Sequence, residues 1–117
     1  MLFVCYPKCT TCKNAQKWLD ENNTEYVQRD IKTDNPSYDE LKEWTEKSGL
    51  PIKRFFNTSG LIYKSMGLKD KFAEMSDEEK LKLLATNGML VKRPLLVGEN
   101  FVLVGFKQPE WERILNE

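Results

Sequence analysis

The sequence predicts an α/β fold in which a mixed four-stranded sheet carries a helical insertion in its middle. Three observations predict it. The chain opens with an apolar run, a helical segment and a second extended run, a βαβ pattern that places its strands parallel. It closes with two apolar runs around Gly98-Glu99-Asn100, which is typical of an antiparallel hairpin, and then a helix. Several short helical segments lie between the two ends.

The N-terminal βαβ unit begins with "LFVCY" at residues 2–6, a short apolar run that favours a buried strand. Residues 10–22 predict a helix with apolar residues on one face, and either Thr10 or Thr11 can cap its N-terminus. Residues 24–31, "TEYVQRDI", predict the second strand.

The insertion contains two longer helices. Residues 35–49 predict the first, with Pro36 near its first turn. Residues 76–88 predict the second, because an S-x-x-E capping-box signature opens the segment and Asn87-Gly88 closes it. Shorter helical pieces are predicted at residues 50–60 and 61–68.

The C-terminal unit has ββα order. Residues 93–105, "RPLLVGENFVLVG", predict two strands, and residues 108–116 predict a helix with Pro109 in its first turn. Stacked into one sheet with the βαβ unit, these elements give a thioredoxin-like fold. Because 117 residues support one core and no repeat or linker divides the chain, we expect residues 1–117 to form a single domain.

The composition excludes several classes of partner. Lys and Arg total 18 and Asp and Glu total 18, so no overall charge indicates direct binding to nucleic acid or to an anionic membrane. No apolar run approaches the roughly 20 residues that span a bilayer. The N-terminus lacks the features of a signal peptide, and an odd number of cysteines argues against a secreted disulfide framework. We therefore expect a cytoplasmic protein.

The absence of histidine restricts the chemistry further. It removes Cys-His and Ser-His-Asp nucleophiles and every His-ligated metal site. Cys5, Cys9 and Cys12 alone leave a structural zinc site one ligand short. Their C-x3-C-x2-C spacing is that of radical enzymes using S-adenosylmethionine, but those need a large barrel that this length cannot supply. We therefore expect no metal.

The C-x-x-C of Cys9 and Cys12 lies where the first strand passes into its helix. Unpaired N–H groups and the helix dipole favour a thiolate at Cys9, and Lys8 and Lys13 flank it. A spacing of three residues places both sulfur atoms on one face of the helix, so Cys9 can attack a disulfide and Cys12 can resolve the product. Alternatively, the same helix N-terminus can hold an oxyanion.

Two other residues near this motif are less specific. Cys5, inside the predicted strand, is most simply a small buried apolar residue. Arg93 precedes Pro94, which disfavours a helical conformation and places the arginine at a strand start. Taken alone, Arg93 is either a bidentate anion ligand or an ordinary surface charge.

Three segments in this order resemble the ArsC/Spx family over essentially the whole chain: "CTTCKNAQKWL" at 9–19, "FNTSG" at 56–60 and "KRPLLV" at 92–97. This family contains glutaredoxin-linked arsenate reductases and Spx-type transcriptional regulators. The resemblance implies a thioredoxin-like fold with a helical insertion. It also implies that Pro94 is the family's cis-proline and that Arg93 faces the cysteine loop.

The arsenate reductase branch implies that Cys9 is the nucleophile and that Arg93 contacts the oxyanion. Two further arginines of those enzymes correspond to Asn57 and to a position near Lys107 or Gln108, and Cys12 adds a second cysteine that they usually lack. Their electron donors are glutathione and glutaredoxin. Spx-type regulators carry the C-x-x-C and the arginine before proline, and they bind the C-terminal domain of the RNA polymerase α subunit.

These observations lead to one main hypothesis, a thiol–disulfide redox protein, with arsenate reductase and redox-sensing regulator as alternatives. The expected catalytic residues are Cys9, Cys12 and Arg93, with a redox-active disulfide between the two cysteines. No bound cofactor is expected, with glutathione a candidate electron donor and glutaredoxin, thioredoxin or RNA polymerase candidate partners. The expected substrate- or anion-binding residues are Lys8, Thr10, Thr11, Lys13, Asn57 and Pro94.

Overall fold

A computed structural model describes residues 1–116 and contains one mixed four-stranded sheet with strand order β2-β1-β3-β4. β1 runs parallel to β2 and antiparallel to β3, which pairs antiparallel with β4. This is the α/β, thioredoxin-like arrangement predicted from the βαβ and ββα patterns. The strands are β1 (Leu2–Cys5), β2 (Val27–Asp30), β3 (Leu95–Val97) and β4 (Val102–Val104).

The helices lie as predicted, one after β1, one after β4 and the rest in the insertion between β2 and β3. Their bounds are α1 (Thr10–Glu21), α2 (Tyr38–Ser48), α3 (Leu61–Ser65), α4 (Leu68–Lys71), α5 (Asp77–Leu84) and α6 (Gln108–Leu115). Single 3-10 turns span Ile52–Phe55, Phe72–Glu74 and Gly88–Leu90.

The sheet separates two apolar layers because successive strand residues point to opposite faces. On one face, Phe3 and Cys5 pack with α1 and α6, where Trp18 and Trp111 are buried. On the other face, Val4 packs with the insertion, including Trp44 of α2. The first face is therefore the one that α1 covers, and the cysteine motif lies where β1 passes into α1.

The register of the two central strands determines which segments meet at this end of the sheet. Val4 of β1 pairs with Leu95 of β3. Because the strands are antiparallel, the residues that follow β1 lie opposite those that precede β3. Tyr6 and Arg93 are therefore brought together although they lie 87 positions apart in the sequence.

Several predicted helix ends are wrong. Neither Thr10 nor Thr11 caps α1: both lie inside the helix, and Cys9 occupies the N-cap position. Pro36 lies outside α2, because Ser37 caps that helix through a reciprocal capping box with Glu40.

The predicted end of α5 is also wrong. The helix ends at Leu84, four residues before the predicted stop. Asn87 instead begins a new turn, since its side chain accepts a hydrogen bond from the Met89 N–H at 2.9 Å. Gly88 is buried there against the Ile31 carbonyl, an approach that leaves no room for a side chain.

Among residues 1–116, no helix combines the length and the apolar character needed to cross a membrane.

Candidate active site

The loop from β1 to α1 presents Cys9 at the N-terminus of the helix. The Cys9 N–H donates to the Tyr6 carbonyl at 2.9 Å, which closes a tight turn, and the Cys9 carbonyl accepts the first helical hydrogen bond from Lys13 at 3.0 Å. No side chain caps the helix, and its first turn contains no acidic residue. The Cys9 sulfur therefore occupies the place where a capping oxygen normally accepts hydrogen bonds from the first N–H groups.

The environment of Cys9 favours its thiolate. Burial opposes ionisation, but the Cys12 and Thr11 N–H groups, the Cys12 thiol and the positive charge of Arg93 outweigh it. The pKa of Cys9 is consequently lowered from its ordinary value. Its side chain is only half-buried. Cys9 thus combines two properties that favour a nucleophilic cysteine, a lowered pKa and access from solvent.

Cys12 has the opposite character. Only 2% of its surface is exposed, and burial is the main cause that raises its pKa to about 12, with the neighbouring Cys9 adding to the effect. The Tyr6 N–H donates to its sulfur at 3.4 Å, but this contact does not offset burial. Cys12 is therefore a protonated thiol near neutral pH, and it lies next to a cysteine whose pKa is lowered.

Arg93 is held beside this pair by two contacts. Its guanidinium carbon lies 5.4 Å from the centroid of the Tyr6 ring, and its Nη1 donates to the Met89 carbonyl at 3.2 Å. The peptide bond between Arg93 and Pro94 is cis. Among the described residues, no carboxylate forms an ion pair with this guanidinium. Its positive charge is available to the thiolate and to an anion.

Cys9 opens into a cleft of about 590 Å³, which we call the thiol cleft. Its apolar lining residues include Leu61, whose surface is 85% exposed. Its cationic lining residues are Lys92 and Arg93. The lining residues are Cys9, Thr11, Asn57, Ser59, Gly60, Leu61, Ile62, Met89, Lys92 and Arg93.

The structure brings together only some of the expected anion-binding residues. Thr11 and Asn57 line the thiol cleft, whereas Lys8 and Thr10 are exposed outside it. Lys13 borders a separate groove on the outer face of α1. Pro94 is buried and does not line the cleft.

Sequence reasoning identified Asn57 but missed the other residues of the insertion that line the thiol cleft, among them Ser59, Gly60 and Lys92. The signal was present, because Ser59 and Gly60 belong to "FNTSG" and Lys92 belongs to "KRPLLV". A backbone contact joins the two segments: the Lys92 N–H donates to the Phe55 carbonyl and the Asn57 N–H to the Leu90 carbonyl, each at 2.7 Å.

Cys5 lies apart from the cleft. It is 1% exposed, packs in the α1–α6 layer and accepts a hydrogen bond from Gln28 at 3.4 Å. Burial raises the pKa of its thiol. Within residues 1–116, no three or more His, Cys, Asp or Glu side chains come close enough to hold a metal ion.

Comparison with known proteins agrees with this architecture. The chain is 49% identical over 112 residues to the uncharacterized protein YusI of Bacillus subtilis strain 168, covering 96% of this chain and 95% of that one. An ArsC family related protein from Bacteroides fragilis is 59% identical, with a TM-score of 0.94 over 97% of this chain and 95% of that one. A possible arsenate reductase from Streptococcus mutans UA159 is 43% identical, with a TM-score of 0.87 over 95% and 96%.

Similarity to a regulatory protein is weaker but spans the same region. The regulatory protein MgsR of Bacillus subtilis strain 168 is 28% identical over 110 residues, which cover 94% of this chain and 86% of MgsR. The sequence model of the ArsC family matches residues 5–114, from the first cysteine to the last helix. The chain belongs to the ArsC family.

Proposed function

We propose that this protein is a cytoplasmic thiol–disulfide redox protein in which Cys9 is the nucleophile and Cys12 the resolving cysteine. One observation carries the proposal: an accessible cysteine, Cys9, occupies the N-cap position of α1, and a buried second thiol, Cys12, follows three residues later in the first turn. The lowered pKa of Cys9 and the raised pKa of Cys12 agree with this order of attack. Arg93 stabilises the thiolate.

The reaction transfers two electrons from the protein to a disulfide substrate. The Cys9 thiolate attacks one substrate sulfur, a new S–S bond forms, and the first substrate thiolate leaves with the electron pair of the broken bond. Cys12 loses its proton to solvent and attacks the Cys9 sulfur, which releases the second substrate thiolate. The products are the Cys9–Cys12 disulfide and two substrate thiols, each protonated from solvent. Glutathione, glutaredoxin or thioredoxin then returns the two electrons.

The test is a redox titration in glutathione buffers, quenched by alkylation, with free thiols assigned by mass spectrometry of peptides. We expect one two-electron transition within the cytosolic range of about −220 to −320 mV, with Cys9 and Cys12 protected from alkylation together. The Cys12→Ser variant should stop at a mixed disulfide between Cys9 and glutathione.

Cys5→Ala is the matched control, because it removes a neighbouring thiol that the reaction does not use. It should leave the transition in place. A wild-type protein that accumulates glutathione on Cys9 while Cys12 remains alkylatable would contradict the dithiol mechanism.

Arsenate reduction is the second candidate, favoured by the likeness to the possible arsenate reductase from Streptococcus mutans. Thr11, Lys92 and Arg93 line the thiol cleft, where they can contact an oxyanion bound at Cys9. Turnover of arsenate coupled to glutathione and glutaredoxin, lost in Arg93→Ala, would support this activity. No turnover at millimolar arsenate would exclude it.

A regulatory role is the third candidate, favoured by the similarity to MgsR over 94% of the chain. In that case the Cys9–Cys12 pair is a redox switch that controls binding to the C-terminal domain of the RNA polymerase α subunit. A pull-down with that domain, made with reduced and with oxidised protein, tests it. Failure in both states would exclude the role.

A further inference from the structure

A second cleft adjoins the thiol cleft and carries a strong local positive charge. This basic cleft has a volume of about 280 Å³ and shares Thr11, Lys92 and Arg93 with the thiol cleft. Arg54 and Lys107 complete its charge. The full lining is Thr11, Arg54, Lys92, Arg93, Val104, Gly105, Phe106 and Lys107.

Neither the basic cleft nor the thiol cleft is lined by an acidic residue. This separation is unexpected for a chain whose 18 basic and 18 acidic residues balance. Within residues 1–116, the ion pairs with carboxylates involve Lys17, Arg29 and Lys82, none of which lines either cleft. The charges of Arg54, Lys92 and Lys107 are therefore not neutralised by a carboxylate of the described chain.

The cations are contributed by three separate parts of the fold. Arg54 comes from the 3-10 turn at Ile52–Phe55, Lys92 from the segment before β3, and Lys107 from the N-cap of α6. The hydrogen bond from the Lys92 N–H to the Phe55 carbonyl, at 2.7 Å, fixes the first two segments against each other. Arg54 and Lys92 therefore extend from backbone segments that are hydrogen-bonded to each other rather than from one mobile loop.

We propose that the basic cleft binds a carboxylate of the disulfide substrate and so makes the Cys9 thiol selective for anionic disulfides. The proposal rests on the proposed function, because it concerns the substrate of the same thiol. Since Thr11 and Lys92 line both clefts, a carboxylate in the basic cleft is adjacent to a sulfur atom in the thiol cleft. Cationic side chains bind carboxylates through charge-assisted hydrogen bonds.

The experiment measures the oxidation rate of the reduced protein by three small disulfides of similar length: dithiodipropionate, which is anionic, bis(hydroxyethyl) disulfide, which is neutral, and cystamine, which is cationic. Each rate is divided by the rate at which the same disulfide oxidises the small thiol N-acetylcysteinamide. This division corrects for the intrinsic reactivity of the disulfide. We expect the normalised rate to be highest for the anionic disulfide, lower for the neutral one and lowest for the cationic one. The ratio of anionic to neutral rates should fall as salt screens the charges.

The test variant is Arg54→Gln/Lys107→Gln, which removes two cations without altering the cysteines. It should lower the ratio of anionic to neutral rates about two- to fivefold for each charge removed. The ratio is the appropriate readout because a change in the Cys9 thiolate fraction affects both rates equally. The matched control is Lys64→Gln/Lys69→Gln, which removes two exposed cations that line neither cleft and should preserve the ratio.

Two further anionic probes separate the sources of the carboxylate. Glutathione disulfide represents a small molecule, and the mixed disulfide of mercaptoethanol with a short peptide containing Glu beside Cys represents a polypeptide. The probe whose normalised rate falls more in Arg54→Gln/Lys107→Gln identifies the source that the cleft selects.

The outcomes distinguish this inference from the proposed function. If all three small disulfides oxidise the Cys9–Cys12 pair at equal normalised rates, charge selection is wrong while the dithiol mechanism stands. If selection is present but survives in Arg54→Gln/Lys107→Gln, the basic cleft is not its origin and the inference fails. If no disulfide oxidises the pair, the proposed function itself fails.

Discussion

The Arg93 guanidinium lies over the Tyr6 ring, with 5.4 Å between its central carbon and the ring centroid. The antiparallel register of β1 and β3 produces this contact. It limits the rotamers of a side chain that could otherwise extend into solvent. Arg93 therefore presents a positive charge to Cys9 at a position determined by the sheet rather than by a loop.

Arg93→Ala should raise the pKa of Cys9, because it removes a charge that stabilises the thiolate. At neutral pH, alkylation of Cys9 by iodoacetamide should slow about two- to fivefold. The difference should vanish at a pH above both pKa values, where the thiolate is complete in each protein. The measurement is the alkylation rate of Cys9 as a function of pH.

Arg113→Ala is the control for this change, since Arg113 is an exposed arginine on α6 that lines neither cleft. Its pH profile should match that of the wild type. Equal profiles for Arg93→Ala and the wild type would show that Arg93 does not act on the thiolate.

Cys5→Ala should reduce stability while leaving disulfide exchange intact. Cys5 is 1% exposed in the layer between the sheet and α1, so loss of its sulfur creates a small cavity that costs about 1–2 kcal/mol. Urea denaturation measures this cost, and the rate of disulfide exchange provides the second readout. Unchanged stability combined with lost exchange would reverse the interpretation and assign Cys5 to the chemistry.

The parts of the site encoded by local pattern were predictable. The C-x-x-C at a strand-to-helix junction places Cys9 at the N-terminus of α1 and Cys12 in its first turn, which is where the structure has them. The position of Arg93 before Pro94 likewise predicts an extended segment next to the sheet. The fold class followed from the order of the elements, which needs no knowledge of side-chain packing.

The rest of the site depends on contacts between distant segments. Phe56 and Val91 form an isolated antiparallel bridge that joins the insertion to the segment before β3. This bridge brings Asn57 and Lys92 to the cleft, and no periodicity in the sequence indicates it. Lys8 and Lys13 were chosen for their proximity to Cys9 in sequence, which does not determine the direction of a side chain.

Glu40→Gln should destabilise the protein at neutral pH but not in strong acid. Hydrogen bonds from Arg29, at 2.6 and 2.9 Å, are the main cause that lowers the pKa of Glu40 from 4.5 to about 2. A depressed folded-state pKa contributes stability above pH 4.5 that is lost as the pH falls toward about 2. Because the Glu40 side chain is 35% exposed, we expect solvent screening to limit the contribution to about 1 kcal/mol.

The measurement is the free energy of unfolding in urea between pH 2 and pH 7. Glu79→Gln is the matched control, since Glu79 occupies the same capping-box position in α5 without an arginine partner among residues 1–116. The difference in the free energy of unfolding between wild type and Glu40→Gln should disappear in acid. At neutral pH, the corresponding difference for Glu79→Gln should be smaller. A Glu40→Gln deficit that persists at pH 2 would rule out the ion pair as its cause.

Gly88→Ala tests the close approach between Gly88, which precedes Arg93 by five residues, and the Ile31 carbonyl after β2. A Cβ at this position overlaps the Ile31 carbonyl oxygen and lies 2.7 Å from the carbonyl carbon, both backbone atoms that cannot rotate away. We expect a loss of about 2–4 kcal/mol in the free energy of unfolding. Gly49→Ala is the comparison: its φ of 70° is unfavourable for alanine, but its Cβ meets nothing within 4 Å, so the loss should be about 1 kcal/mol. Equal losses at the two glycines would mean that the backbone near Gly88 yields, and Arg93 would then not depend on this contact for its position.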